Sequence, residues 1–309
     1  MGNTGFALRA ALAAIAVFAA TWAVGNSYAF FAGYVVLQYV VLATAWNILG
    51  GYTGYVNFGT AAFFAIGAYS TVVLHKTCDW MPLPIMVVIG TLAAGLVGLG
   101  TGYLTLRLKG TFFSIATLAL SVVVQTLITN WDFVGGSRGA YVLRPEESPI
   151  SPGDYVEYLF VVMLALSVIA VCAARAIEHS RLGRGFAAIR DDETAAESSG
   201  VPTLRLKLIA TALSGGFMGM AGAPLPYYVT YLDPASGFSL SYAVNTIAMP
   251  LIGGTSHWIG PVIGAALLGT LQQAATVTIS SALSLRIVGL LLVGFVVAAP
   301  RGIIGWFGK

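Results

Sequence analysis

Charged residues are scarce in this chain. Only 9% of its 309 residues are charged and 58% are hydrophobic, and the mean hydropathy is +0.86. An average soluble domain carries about 25% charged residues, so these side chains cannot cover a water-exposed surface of this size. The composition excludes a soluble enzyme, a nucleic-acid-binding protein and a disordered protein, and it leaves a membrane protein with many spans.

Common motifs for nucleotide binding and for metal binding are also missing. The only Gly-Lys pair, Gly308-Lys309, has no glycine-rich phosphate-binding loop before it. The sequence has no HExxH motif, and its two cysteines and three histidines form no cluster. We therefore expect no metal site, no bound cofactor and no enzymatic activity. Carboxylates lie only in loops or at the ends of apolar runs, which disfavours a proton-coupled carrier.

Long apolar runs are abundant, and they predict an all-α polytopic membrane protein with about ten transmembrane helices. One span needs about 20 apolar residues, and the runs 58–74 and 240–253 are short. When the ends of the predicted spans are assigned to alternate sides of the membrane, eleven lysines and arginines lie on one side and four on the other. The positive-inside rule then places both termini, which lie on the side with eleven, in the cytoplasm. The ten runs are 7–24, 30–49, 58–74, 83–106, 111–129, 156–177, 205–223, 240–253, 258–280 and 285–300.

Two polar loops interrupt the apolar runs. The outer loop, 130–155, is rich in glycine, proline and serine, and it is long enough to lie over the mouth of a pathway. The inner loop, 178–207, contains five acidic and five basic residues. Because no soluble domain interrupts the chain, we expect 1–309 to form a single transmembrane domain.

The inner loop predicts two short helices that form a compact knob. Phe186 and Ile189, three residues apart, would give the first helix an apolar face. Asp191 or Asp192 would cap the second helix, and Gly200 is placed to end it in the left-handed conformation. A knob with an apolar tip and mixed charges suits docking into a groove of a soluble partner. The alternative is a solvated loop whose charges only keep it in water.

Three segments of the sequence carry recognisable motifs. The first reads Gly183-Arg184, Ala188-Ile189-Arg190-Asp191-Asp192-Glu193, Ala195-Ala196-Glu197 and Gly200. The second runs from Gly50 to Tyr69, and the third from Gly253 to Ala265. Together they resemble the branched-chain amino-acid (Liv-type) ABC transporter permeases, and among these the LivM-type subunit. Asn57, Thr60 and Ser256 stand where many members carry Ser, His and Gly, which leaves the transported solute open.

The resemblance implies a permease subunit of a binding-protein-dependent ABC importer in the bacterial cytoplasmic (inner) membrane. Its implied partners are a homologous second permease forming a heterodimer, two cytoplasmic ATPase subunits that bind ATP and Mg, and an extracytoplasmic solute-binding protein. In that family the inner loop contacts the ATPase, so Arg190 and the acids would make charged contacts, while Phe186 and Ile189 would fill a groove. The candidate coupling residues are Arg184, Phe186, Ala188, Ile189, Arg190, Asp191, Asp192, Glu193, Ala195, Ala196, Glu197 and Gly200.

A substrate pathway is predicted where polar side chains lie beside glycine-rich segments. The segment 50–54 is predicted to break the helix between two apolar runs, and Gly253-Gly254 offers a similar break. Irregular backbone at membrane depth is tolerated only when it is buried or lines a watery cavity, and broken helices often mark transport sites. The candidates are Asn47, Gly51, Tyr52, Thr53, Gly54, Asn57, Gln125, Asn245, Gly253 and Gly254. Helix packing is the alternative role for such residues.

The sequence leaves other functions open beside an importer permease for branched-chain or related amino acids. A Liv-type importer of urea or short amides would have the same architecture. A stand-alone channel or sodium-coupled carrier for small neutral solutes would transport without ATP, and a membrane scaffold would not transport at all. Solute flux through proteoliposomes that contain only this chain would favour the channel or carrier.

Overall fold

Helices dominate the residues that the computed structural model describes, which are 3–78, 80–105, 110–145, 154–278, 289, 294 and 302–307. The predicted run 285–300 therefore lies outside the described residues, apart from two isolated positions. The helices are α1 (Asn3–Ala23), α2 (Ser27–Thr53), α3 (Thr60–Thr77), α4 (Leu83–Thr105), α5 (Thr111–Thr129), α6 (Tyr155–Glu178), α7 (Arg181–Asp191), α8 (Glu193–Ser198), α9 (Thr203–Gly222), α10 (Leu225–Val229), α11 (Pro234–Gly237), α12 (Leu240–Gly253), α13 (Ile259–Thr278) and α14 (Ile304–Phe307).

Six helical segments of the described chain are long and apolar enough to cross a membrane. They are α1, α2, α4, α5, α6 and the continuous segment α9–α10, and they match six of the predicted runs. The runs 58–74, 240–253 and 258–280 correspond to α3, α12 and α13, which do not meet the same measure. With 14 residues, α12 is about 21 Å long, shorter than the roughly 30 Å hydrocarbon core of a bilayer. An all-α polytopic membrane protein is confirmed, and the described residues contain six such segments, while the count of about ten spans stays a prediction.

Local sequence signals determine where several helices begin and end. The side chain of Asn26 accepts a hydrogen bond from the Tyr28 amide (2.9 Å) and so caps the start of α2. Ser239 caps α12 in the same way. The end of α2 is Gly54, whose φ of 78° lies in the left-handed region that favours glycine. These caps satisfy backbone groups that would otherwise lack partners at the helix termini.

Glycines bring the backbones of α3, α4 and α9 into direct contact. A Cβ atom built on Gly67 of α3 would lie 2.0 Å from the carbonyl oxygen of Gly219 on α9. One built on Gly219 would lie 2.3 Å from the Cβ of Ala94 and 2.9 Å from the carbonyl oxygen of Gly90, both on α4. Small residues at such crossings let membrane helices approach closely and gain van der Waals contact.

A short strand pair closes one end of the bundle. The strands β1 (Ala140–Tyr141) and β2 (Tyr231–Leu232) are antiparallel, with Ala140 opposite Leu232. Arg144 Nε donates a hydrogen bond to the carbonyl oxygen of Tyr227 (2.7 Å), close to the same strands. The described part of the predicted outer loop is therefore ordered against the segment that follows α9, and we call this end of the bundle the strand end.

Candidate functional site

The predicted two-helix knob is present at the opposite end, and we use the name for α7 and α8 together, residues 181–198. The Ser180 hydroxyl caps α7. The Asp192 carboxylate accepts hydrogen bonds from the amides of Thr194 (2.8 Å) and Ala195 (3.0 Å), which caps α8. Gly200 follows with a φ of 81°. The two helices, the Asp192 cap and the left-handed glycine are all confirmed.

Replacing Asp192 with alanine is expected to remove both hydrogen bonds at the start of α8 and to destabilise that helix by about 1 kcal/mol. Amide hydrogen exchange over residues 193–199 should become faster in this variant. Asp191→Ala is the matched control, because the exposed Asp191 carboxylate (74% of its side chain) pairs with Arg190 and caps no helix. Equal exchange in both variants would contradict the assigned role of Asp192.

Two residues expected to fill a partner's groove are instead buried inside this chain. Phe186 is 0% exposed and Ile189 4% exposed, so the prediction that they form an exposed apolar tip is wrong. An apolar pair three residues apart gives the same sequence signal whether it faces a partner or the protein's own core. Here the pair fixes the knob to the bundle, within a cluster that includes Ile48, Leu49, Tyr52, Tyr55, Phe113, Ile177 and Ala210.

The outer surface of the knob is charged rather than apolar. Arg190 Nε lies 3.4 Å from an Asp191 carboxylate oxygen, and both side chains are exposed. Among the predicted coupling residues, Ala188 is partly exposed and Ala196 is buried. The exposed ones are Arg184, Arg190, Asp191, Asp192, Ala195, Glu197 and Gly200.

Glu193 faces the bundle instead of a partner. One of its carboxylate oxygens accepts a hydrogen bond from Lys207 Nζ (2.6 Å), and the Tyr55 hydroxyl donates to the other. Lys207 also donates to the Tyr55 oxygen (3.3 Å). Only 4% of the Lys207 side chain and 14% of the Glu193 side chain are exposed. Burial, and then the adjacent Glu193 carboxylate, raise the pKa of Tyr55, so its hydroxyl stays protonated and donates.

A second carboxylate, Glu178 at the end of α6, joins two other segments. Its Oε2 atom accepts hydrogen bonds from the Tyr52 hydroxyl (3.2 Å) and from the Trp258 amide (2.7 Å). Its Oε1 atom lies 3.6 Å from Nε2 of His257. The last turn of α6 is thereby attached both to the end of α2 and to the segment that precedes α13.

Sequence reasoning missed the roles of Tyr55, Glu178 and Lys207. Lys207 counted only toward topology, although a lysine that enters an apolar helical run needs a partner once it is buried. Its partner Glu193 lies 14 residues earlier and Tyr55 lies 152 residues earlier. The signal available in the sequence was therefore a buried cation without an identified anion.

The predicted break at residues 50–54 is displaced. α2 continues through Thr53, and the irregular segment is 54–59. A Cβ atom on Gly51 would lie 2.0 Å from Asn47 Oδ1 and 2.8 Å from the carbonyl oxygen of Thr255. Gly51 therefore serves close packing inside a helix, where the sequence pattern predicted an interruption.

The predicted pathway residues are divided between buried helix contacts and exposed positions in the described structure. Asn245 donates to the Tyr39 hydroxyl (3.1 Å) and accepts from Gln272 (2.9 Å), which joins α2, α12 and α13. Gln125 is partly exposed on α5, and Gly54 is exposed at the end of α2. An apolar groove of about 440 Å³ beside α1 contains none of the ten candidates. The buried ones are Asn47, Gly51, Tyr52, Thr53, Asn57, Asn245, Gly253 and Gly254.

The second predicted break, at Gly253-Gly254, is present, since α12 ends at Gly253. The glycines there also allow close packing. A Cβ atom on Gly253 would lie 1.8 Å from the carbonyl oxygen of Gly260, so the end of α12 touches the start of α13.

By contrast, the Asn57 Nδ2 atom is buried without a hydrogen-bond partner in the part of the chain that the structure describes. Such a group favours contact with water or with a polar solute, so Asn57 stays a pathway candidate.

These features define a polytopic helical membrane protein that carries a charged two-helix knob at one end of its bundle. The model of one protein family, described as branched-chain amino acid transport system / permease component, matches residues 28–296. The chain belongs to this family, as its sequence motifs predict.

Curated relatives agree with this assignment. The chain is 28% identical over 261 residues to the high-affinity branched-chain amino acid transport system permease protein LivM of Salmonella typhimurium, covering 74% of this chain and 59% of that protein. It is 24% identical to the probable permease LivH of Methanocaldococcus jannaschii, covering 86% and 88%. The ribose import permease RbsC of Haemophilus influenzae is 26% identical, over 63% and 60%. The chain thus spans 59% of the LivM relative's length, and no solved structure matches it.

Proposed function

We propose that this chain is the transmembrane permease subunit of a binding-protein-dependent ABC importer for branched-chain or related amino acids. It forms the translocation pathway together with a second, homologous permease, in a heterodimer within the bacterial cytoplasmic membrane. Two cytoplasmic ATPase subunits bind ATP and Mg, and an extracytoplasmic binding protein delivers the solute. The relatives named for branched-chain amino acid transport support this solute class.

The observation that carries the proposal is the knob itself. It is capped at the start of each helix and fixed to the bundle by Phe186 and Ile189. Its outer face presents exposed ionised side chains of both signs. A small ordered element with a mixed-charge surface is suited to specific docking, because complementary charges select a partner and fix its register.

Charge distribution supports a cytoplasmic position for the knob and for both termini. In the described ranges, Lys76, Arg138 and Arg144 belong to the strand end. The opposite end carries more basic residues, and cytoplasmic segments hold the excess of lysine and arginine. These are Arg9, Arg175, Arg181, Arg184, Arg190, Arg205 and Lys207.

The mechanism is alternating access driven from the cytoplasmic side. When the ATPases bind ATP and close, they displace the knob and switch the permease pair between outward-open and inward-open packing. A ligand or partner shifts such an equilibrium only through different contacts in the two states. The permease needs no chemistry of its own, and Asn57 offers a polar group to a passing solute.

We expect the double substitution Arg184→Glu with Arg190→Glu to reduce copurification of the ATPase with the permease complex by about tenfold. Both side chains lie on the exposed face of α7, and reversing rim charges places like charges opposite each other. ATP-dependent uptake of L-leucine into proteoliposomes should fall in parallel.

The matched control is Arg138→Glu, a charge reversal at an exposed arginine of the strand end. It should leave copurification of the ATPase unchanged. If the double variant assembles and transports leucine like the wild type, the knob is not the docking surface and the proposed function loses its main support.

A further inference from the structure

The end of α2 is held by two carboxylates that flank α7. Glu178 precedes α7 and accepts a hydrogen bond from the Tyr52 hydroxyl (3.2 Å). Glu193 follows α7 and accepts one from the Tyr55 hydroxyl. The end of α2 is therefore held on both sides of α7, by the last residue of α6 and by the first residue of α8.

A third contact lies between these two. Gly54 ends α2 between Tyr52 and Tyr55, and a Cβ atom built on it would lie 3.3 Å from Cγ and 3.7 Å from Cα of Arg190. The backbone at the end of α2 thus passes directly over α7. Arg190 contacts Gly54 with the aliphatic part of its side chain, while its guanidinium group reaches Asp191 on the exposed face.

Lys207 attaches this assembly to α9. Its ammonium group lies 2.6 Å from Glu193 and 3.3 Å from the Tyr55 oxygen, in a position closed to water. Exposed ion pairs contribute little to stability. Separating the partners of a buried pair costs much more, because it leaves an uncompensated charge inside the protein. The knob, the end of α2 and the start of α9 are therefore expected to move together.

Beyond α2, the irregular segment 54–59 contacts α5. The Ser114 hydroxyl donates to the carbonyl oxygen of Val56 (2.8 Å), and the Phe58 amide donates to the Thr117 hydroxyl (3.1 Å). This segment also leads directly into α3. A displacement of the end of α2 would consequently reach two further helices of the bundle.

We propose that Glu178 and Glu193 are positioning residues that transmit movement of the knob to the end of α2 and to segment 54–59, with Lys207 as the buried counter-ion of Glu193. The inference rests on the proposed function, because it takes ATPase movement at the knob as its input. It assigns the predicted pathway residues Tyr52 and Gly54 to the transmission of movement instead of to contact with solute.

The first test compares transport with ATP hydrolysis in the complete complex, reconstituted in proteoliposomes with its binding protein and radiolabelled L-leucine. The test variant is the double substitution Glu193→Gln with Lys207→Met, which removes both charges and leaves neither one unpaired. We expect the ATPase to copurify and to hydrolyse ATP, while leucine transported per ATP falls about tenfold, within the range of known coupling effects. Tyr55→Phe keeps the ring and the Glu193–Lys207 pair and removes the two hydrogen bonds of the Tyr55 hydroxyl, so a smaller fall of about threefold is expected.

The matched control is Arg205→Met, which removes an exposed cation from the same helix two residues before Lys207. Its leucine-to-ATP ratio should equal that of the wild type. An unchanged ratio in both the Glu193/Lys207 double variant and Tyr55→Phe would overturn the inference. If the double variant does not fold, the leucine-to-ATP ratio of Tyr55→Phe tests the inference alone.

A second measurement needs neither solute nor ATPase. Spin labels at Val56 and Ser198, both exposed, report the distance between segment 54–59 and the knob once Cys78 and Cys172 have been replaced with serine. We expect a narrow distribution in the otherwise wild-type full chain and a broad one in the double variant. Equal distributions would overturn the inference, whereas failure of the wild-type permease to bind its ATPase would overturn the proposed function instead.

Discussion

Replacing Gly67 with alanine is expected to lower the free energy of unfolding by about 3 kcal/mol, the upper part of the range for overpacked cores. The new Cβ atom would lie 2.0 Å from the carbonyl oxygen of Gly219 and 2.7 Å from its Cα atom. These are backbone atoms, so no side-chain rotation relieves the clash, and α3 must move away from α9. Thermal unfolding of the purified chain in detergent should show a clearly lower Tm.

Gly100→Ala is the matched control for this prediction. Gly100 is an exposed glycine of α4, and a Cβ atom on it would meet nothing within 4 Å. Alanine is favoured over glycine in a helix by about 1 kcal/mol, so this variant should be as stable as the wild type or slightly more stable. Equal Tm values for the two variants would mean that the α3–α9 crossing is looser than the structure indicates.

Local signals in the sequence predicted the knob well. Helix caps depend on a few neighbouring residues, so the cap of α8 could be narrowed to Asp191 or Asp192, and Gly200 could be assigned to the end of that helix. The long apolar runs likewise predicted α1, α2, α4, α5, α6 and α9, because length and hydropathy are properties of one segment. The same reasoning did not distinguish α3, α12 and α13 from these spanning segments. In those three helices, glycine, polar residues or shortness weaken the hydropathy signal.

Contacts between distant segments could not be predicted from the sequence. Phe186 and Ile189 form an apolar face whose partner, the end of α2, lies more than 130 residues away in the chain. Gly51 could equally have interrupted a helix or let one pack closely, and only the approach of Asn47 and Thr255 decides the matter. A single sequence shows which residues need a partner, but it does not show which partner the fold supplies.

The substitution Lys207→Met is expected to destabilise the chain by about 3 kcal/mol, the lower part of the range for breaking a buried ion pair. It removes the ammonium group from beside the Glu193 carboxylate, which keeps the hydrogen bond from the Tyr55 hydroxyl. The lower value applies because 14% of the Glu193 side chain reaches solvent, which lets water compensate part of the lost charge. The decrease should appear as a lower Tm of the full chain in detergent.

A thermodynamic cycle separates this electrostatic effect from a loss of packing. The variant Glu193→Gln with Lys207→Met should recover at least about half of the lost stability, because a neutral amide costs less to bury than an unpaired carboxylate. Arg205→Met should stay within about 0.5 kcal/mol of the wild type, as exposed substitutions generally do. If the double variant is as unstable as Lys207→Met, the lysine acts through its aliphatic packing rather than its charge. The connection between the knob and α9 would then not depend on the charges of Glu193 and Lys207.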